Sequence, residues 1–121
     1  MTRHLLLVHA DPANGSDDDF NNWYDDIHLP DVLAVSGFVA AQRYIAAPSV
    51  HGGLPPRRNL AIYGMETDDL PAALAAATKH MHFDPAFDRA AHHTYAFTAV
   101  SPRLEASPTE AIHDDGKDGD D

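Results

Sequence analysis

The chain contains no cysteine. Disulfides, thiolate zinc sites and cysteine nucleophiles are thereby excluded. Cations are scarce: 8 Lys and Arg stand against 19 Asp and Glu, for a formal charge of −11. The sole basic doublet is Arg57-Arg58, in a loop rich in Gly and Pro. A phosphate backbone demands clustered cations, so neither nucleic acid nor an anionic membrane surface is an expected partner. Long apolar runs are missing as well. The run "LLLV" near the N-terminus is too short for a signal peptide or a membrane span, and the chain reads as soluble and cytoplasmic. No G-x-G-x-x-G, P-loop or G-x-S-x-G occurs, and no cofactor is expected.

What is present fits one domain: 121 residues can bury a real core without staples. Residues 1–106 hold 13 acids against 7 Lys and Arg, whereas residues 107–121 hold 6 acids against Lys117 alone. The first segment is expected to be the folded domain. The second has little to bury and is expected to be a disordered acidic tail.

The elements follow from local pattern. Residues 4–10 are short, apolar and stopped by Asp11-Pro12, which predicts a buried strand. Ser16 and Asp19 resemble a capping pair for a helix over 17–28, with Phe20, Trp23, Tyr24 and Ile27 on one apolar face. Pro30 is expected to end or kink that helix near His28. A short turn over 31–35 closes at Ser36-Gly37. Strands are predicted over 38–48, 59–67 and 92–104, and a helix over 68–80. The order β-α-β-β-α-β is the ferredoxin-like plan, an α+β fold with a four-stranded antiparallel sheet and two main helices on one face. Several strands look apolar on both faces. Helices cover only one face, so a second copy of the chain is expected to cover the other, giving a homodimer.

The run "FNNWYDDIHLPDVLAVSGFVAAQRY" at 20–44 resembles the N-terminal signature of the EthD-like branch of the dimeric α+β barrel superfamily. The resemblance rests on Trp23-Tyr24, His28 with Pro30, Gly37-Phe38 and the aromatic Tyr44. It implies a dimeric α+β barrel with a cavity between sheet and helices, and a cavity-facing histidine at the position of His28. Ser36 departs from the pattern, since many relatives have proline before the glycine.

His28 has two readings. One is a general acid/base, because imidazole titrates near neutrality. Burial beside aromatic rings would keep it neutral and lower its pKa. The other is a helix-end residue meeting free carbonyls. Tyr24, one turn earlier, shares its face and can stabilise an oxyanion or simply close the core. Asp31 can orient His28 or cap the following turn. By period two, Tyr44 and Gln42 share a strand face with Phe38, which predicts a cavity lining with a few placed polar groups, while Arg43 points away. Trp23, Phe38, Gln42, His9 and Tyr63 are the candidate substrate-binding residues; His28, Tyr24 and Tyr44 are the candidate catalytic ones. Four histidines, His80, His82, His92 and His93, invite a metal reading, but their spacing does not suit one ion and no metal is expected. One of them completing the cavity is the better reading. His4, His51 and His113 read as surface or tail residues.

The expected function is a small cofactor-independent enzyme. Its substrate would be a hydrophobic, carbonyl-bearing or aromatic small molecule, and its chemistry the proton transfers of a cyclase, dehydratase or isomerase. A non-catalytic small-molecule-binding or accessory protein is the alternative, and a cofactor-free monooxygenase a further one.

Overall fold

The computed structural model describes residues 1–48 and 51–108. The disordered tail expected over 107–121 therefore lies outside the described residues from 109 onward. Strand β1 (Arg3–Ala10) is central and pairs antiparallel with both β3 (Asn59–Glu66) and β4 (His93–Thr98). Strand β2 (Phe38–Ile45) pairs with β3, giving the order β2-β3-β1-β4. Two helical segments, one over 17–33 and α3 (Leu70–His80), lie on one face of this four-stranded antiparallel sheet.

The expected barrel is corrected here. Edge strands β2 and β4 each pair on one side only, and the sheet stays open. Barrel closure takes about eight strands with matched tilt and stagger. Four strands of six to eight residues cannot bring their own edges together.

The first helical segment also departs from expectation. Helix α1 (Asp17–Trp23) runs into a π-turn, Tyr24–His28, and continues directly as α2 (Leu29–Leu33). Both His28 and Leu29 keep right-handed helical angles, so Pro30 does not end the helix. A proline ring collides with the carbonyl four residues back and donates no hydrogen bond. The wider π-turn just before it absorbs this: Leu29 N–H bonds to Tyr24 C=O, five residues back. The extra residue in the turn rotates the side chains beyond it about the helix axis. Ile27, expected in the core, is 53% exposed, and His28 takes the inward position at 4%. The turn also brings His28 under Trp23, five residues earlier, with ring centroids 4.5 Å apart. Ser16 precedes α1 but makes no side-chain cap bond.

Helix α3 behaves as its sequence predicts, two residues shorter at its start. Asp69 caps it by accepting from Ala72 N–H at 3.1 Å, and Pro71 sits in the first turn. Ala73 and Ala77 face inward, small enough to let the helix lie close to the chain beneath. Gly37 takes φ +97°, a backbone conformation that residues with a side chain rarely adopt, so the turn into β2 favours glycine.

Strand faces are set by two registers. On β1 and β3 the helix side carries His4, Leu6 and Ala10 beside Ala61, Tyr63 and Met65, all buried. Strand β2 has a bulge between Phe38 and Ala40. One extra residue inverts every later side chain. Phe38 therefore faces the helices, but beyond the bulge it is Ala41 and Arg43 that do so, while Gln42 and Tyr44 turn to the far side. His4, read as a surface residue, is instead buried and satisfied: it bonds to Thr98 Oγ1 at 2.9 Å and donates to the Thr67 carbonyl at 3.0 Å.

Candidate functional site

Between the helix-side face of the sheet and α3 lies a cavity of about 400 Å³. Leu6, Val8, Phe38, Tyr63 and Thr94 form its floor. Leu74, Ala77 and Thr78 of α3 form one wall, and Tyr24, His28 and Val32 another. The connection after α3 closes the rim with Met81, Phe83, Phe87, Arg89 and His92. Apolar lining with a few converging polar groups is the usual make-up of a small-molecule site.

His28 sits in a cage of rings. Trp23 stacks on it, Tyr24 meets it edge-on at 5.1 Å, and Phe83 lies 5.7 Å away. No described residue hydrogen-bonds either ring nitrogen. Burial lowers its pKa from 6.5 to about 4, with the Asp31 carboxylate pulling weakly the other way. The imidazole is thus neutral at pH 7, with one nitrogen able to donate and the other to accept.

Two phenols stand beside it. Burial pushes Tyr24 up to about 12 and raises Tyr63 further; the hydroxyls are near enough to influence each other, and the Arg43 guanidinium opposes both shifts. Both therefore stay protonated. Tyr63 Oη is nonetheless fully buried without a partner at hydrogen-bonding geometry among the described residues. A buried hydroxyl left wholly without a partner costs about 1–3 kcal/mol, and the Tyr24 hydroxyl, which interacts with it, is placed to offset part of that.

Arg43 builds the back of the site. Its guanidinium lies 4.9 Å from the Tyr24 ring centroid and 5.5 Å from that of Phe20. It donates to Asp25 at 2.9 Å and to Asn21 Oδ1 at 2.8 Å. These bonds fix α1 and the π-turn against β2, and hence the height of Tyr24 over the sheet.

The structure brings His28, Tyr24, Tyr63 and Phe38 together at the cavity, with Trp23 directly behind His28. It does not bring Tyr44, Gln42 or His9. Tyr44 donates to Gln42 Oε1 at 3.0 Å on the opposite face of the sheet, where the bulge has sent both. His9 is on that far face too, level with His93 and edge-on to Tyr95 at 5.8 Å. Of the four later histidines only His92 lines the cavity; His93, its neighbour, points the other way. Among the described residues no three His, Asp or Glu side chains are placed to hold a metal ion. Sequence reasoning missed Phe83, Phe87 and Arg89. Two phenylalanines four apart in a supposed connection were the available signal, since solvent loops rarely need them.

Fold and site together define a small α+β protein with an open antiparallel sheet and an aromatic cavity beneath its helices. Comparison with known protein families, with curated proteins and with solved structures finds no match for this chain. The resemblance of residues 20–44 to the EthD-like branch is therefore withdrawn, along with the barrel it implied: a run of aromatic, histidine and proline on one helix is too short to carry a family by itself. Among the described residues no helix is long and apolar enough to cross a membrane.

Proposed function

We infer that the cavity binds a small hydrophobic molecule carrying a carbonyl or phenol oxygen, and that His28 and Tyr63 act on that oxygen and its neighbouring proton. The observation that carries this reading is the His28 imidazole, neutral and unbonded in an apolar cavity whose lining also includes Tyr24 and Tyr63. Tyr63 donates to the ligand oxygen as it gains charge, Tyr24 holds the imidazole edge-on, and His28 takes and returns the proton. This is acid/base chemistry of the isomerase, dehydratase or cyclase kind, using side chains alone. A second reading is binding without turnover. It is favoured by the absence of any hydrogen-bonded carboxylate behind His28 among the described residues, because such a partner would stabilise the imidazolium that turnover creates.

Native mass spectrometry of protein purified from its own host, followed by incubation of the captured ligand, tests the reading. A co-purifying aromatic or carbonyl compound, lost in Tyr63→Phe, is the expected outcome. Conversion of that compound by the unmodified protein but not by His28→Ala selects the enzyme; unchanged ligand selects the binder. Ligand retention equal in Tyr63→Phe refutes the assignment of the site.

The far face of the sheet supports a second part of the proposal, a homodimer. Leu5, Tyr95 and Phe97 are exposed there, Leu7, Leu60 and Ile62 lie between them, and a groove of about 610 Å³ runs past Val39, Gly64 and Phe97. An apolar sheet face of this extent is a liability in water unless covered. A second copy offers the same apolar surface, with Arg3 and Glu66 at one end of it. Sedimentation at micromolar concentration should give about twice the chain mass of 13.1 kDa. A Phe97→Glu substitution should return the monomer; a wild-type monomer at these concentrations refutes the dimer.

A further inference from the structure

We propose that the ligand of this cavity is a small hydrophobic carboxylic acid, its carboxylate held at the rim by Arg89; this rests on the cavity being the binding site. The argument begins from charge. The chain carries −11, and among the described residues Arg3, Arg57, Lys79 and Arg89 form no ion pair while the other three arginines do. Arg43 pairs with Asp25, Arg58 with Asp17 and Arg103 with Glu105. Arg89 lines the cavity, and no described carboxylate pairs with it. It is also the one formally charged side chain among the described residues of the lining.

The acids closest in sequence are engaged elsewhere. Asp84 accepts from Ala86 N–H at 2.9 Å and Asp88 from Ala90 N–H at 3.2 Å, each closing a local turn. Arg89 meanwhile is held in place, its guanidinium 4.8 Å from the Phe83 ring centroid. A guanidinium lying on an aromatic ring keeps its N–H edge free, and that edge matches a carboxylate two bonds at a time. His92 adds a directed group. Its Nδ1–H donates to the Arg89 carbonyl at 2.8 Å, which ties the imidazole to the same turn and leaves Nε2 as an acceptor for a ligand hydroxyl. A second guanidinium, Arg57, donates Nε–H to the Ala91 carbonyl at 2.7 Å and has no described carboxylate paired with it, so two unpaired guanidinium groups meet around residues 89–92. The rim thus attracts an anion while the interior accepts only apolar surface and one neutral polar group. A hydrophobic carboxylic acid has that distribution; a neutral terpenoid or hydrocarbon leaves the rim unused, and a phosphate ester presents more charge than one exposed arginine balances.

The test compares 6-hydroxy-2-naphthoic acid with its primary amide, which keeps the ring and phenol and removes the charge, by fluorescence titration on the full chain. The acid is expected to bind about tenfold tighter than the amide, as befits a charge-assisted pair at a partly solvated rim. That preference should shrink as salt is raised and vanish in Arg89→Gln, while Tyr63→Phe weakens acid and amide alike. Acid and amide binding equally, with Tyr63→Phe weakening both, overturns the carboxylate and leaves the site reading intact. Failure of both compounds to bind at millimolar concentration overturns the carboxylate together with the site reading. Because the salt dependence is read on the unmodified protein, a folding defect in Arg89→Gln would not shield the proposal: a preference that salt leaves unchanged overturns it.

Discussion

The His28 imidazole makes the stability of this protein depend on acid in a way that one substitution can isolate. In the folded chain its pKa is about 4, and the ordinary value of 6.5 describes the unfolded chain. Between those pH values the unfolded state takes up a proton that the folded state refuses. Stability is therefore fully present above about pH 6.5 and falls as the pH drops toward 4. The full gap corresponds to about 3 kcal/mol, and about 2 kcal/mol is already lost at pH 5. A small domain has only about 5–15 kcal/mol in total, so the loss is readily measured. His28→Phe places a ring that cannot titrate in the same cage of Trp23, Tyr24 and Phe83. Urea unfolding of both proteins at half-unit steps from pH 7.5 to 4 gives the comparison. Carboxylates titrate in both and cancel, apart from Asp31, whose charge favours the imidazolium and makes the wild-type loss slightly smaller. The wild type should lose stability relative to the variant, most steeply between pH 6 and 4.5. Curves that stay parallel within about 0.5 kcal/mol, well under the loss expected from linkage, would mean that the imidazole is solvated or partnered, and the aromatic cavity would not be its environment.

Other perturbations separate packing from site. Trp23→Ala removes the plate under His28 and the ring against Phe87, and should destabilise by about 3–5 kcal/mol in urea unfolding. Tyr63→Phe deletes a hydroxyl with no partner, so stability should hold or rise by up to about 1 kcal/mol even as ligand binding weakens; a clear loss of stability would reveal a bond to that hydroxyl. Arg43→Met breaks the bonds to Asp25 and Asn21 and the contact with the Tyr24 ring, and about 2 kcal/mol should be lost with little change in salt sensitivity, since the Arg43 side chain is only 16% exposed. Pro30→Ala should let the π-turn relax to an ordinary helix, and the readout is a fall in Trp23 fluorescence quenching as His28 moves off the ring.

What the sequence determined by itself is local. Strand β1 was legible because an apolar run ends at Asp11-Pro12, and α3 because Asp69, Pro71 and a run of alanines give start, first turn and interior. His28 was legible as a cavity-facing residue because a polar ring falls among aromatics on one helix. These features depend on neighbours within a turn or two, and short-range sterics and hydrogen bonds decide them. The tertiary structure decided the rest. Period two put Tyr44 and Gln42 with Phe38, but one bulged residue opposite Gly64 reversed them and brought Arg43 under Tyr24 instead. Helical spacing put Ile27 in the core, but the π-turn before Pro30 gave that place to His28. Each is a single-residue shift in register, which alters no composition and no periodic pattern strongly enough to be seen, yet turns every later side chain to a new face. The meeting of Tyr63 with His28, 35 positions apart, and of Arg89 with Phe83 at the rim, depends on how the sheet and the connection after α3 pack. Only the folded chain sets such distances, because nothing in the local backbone energetics links those positions before the core closes.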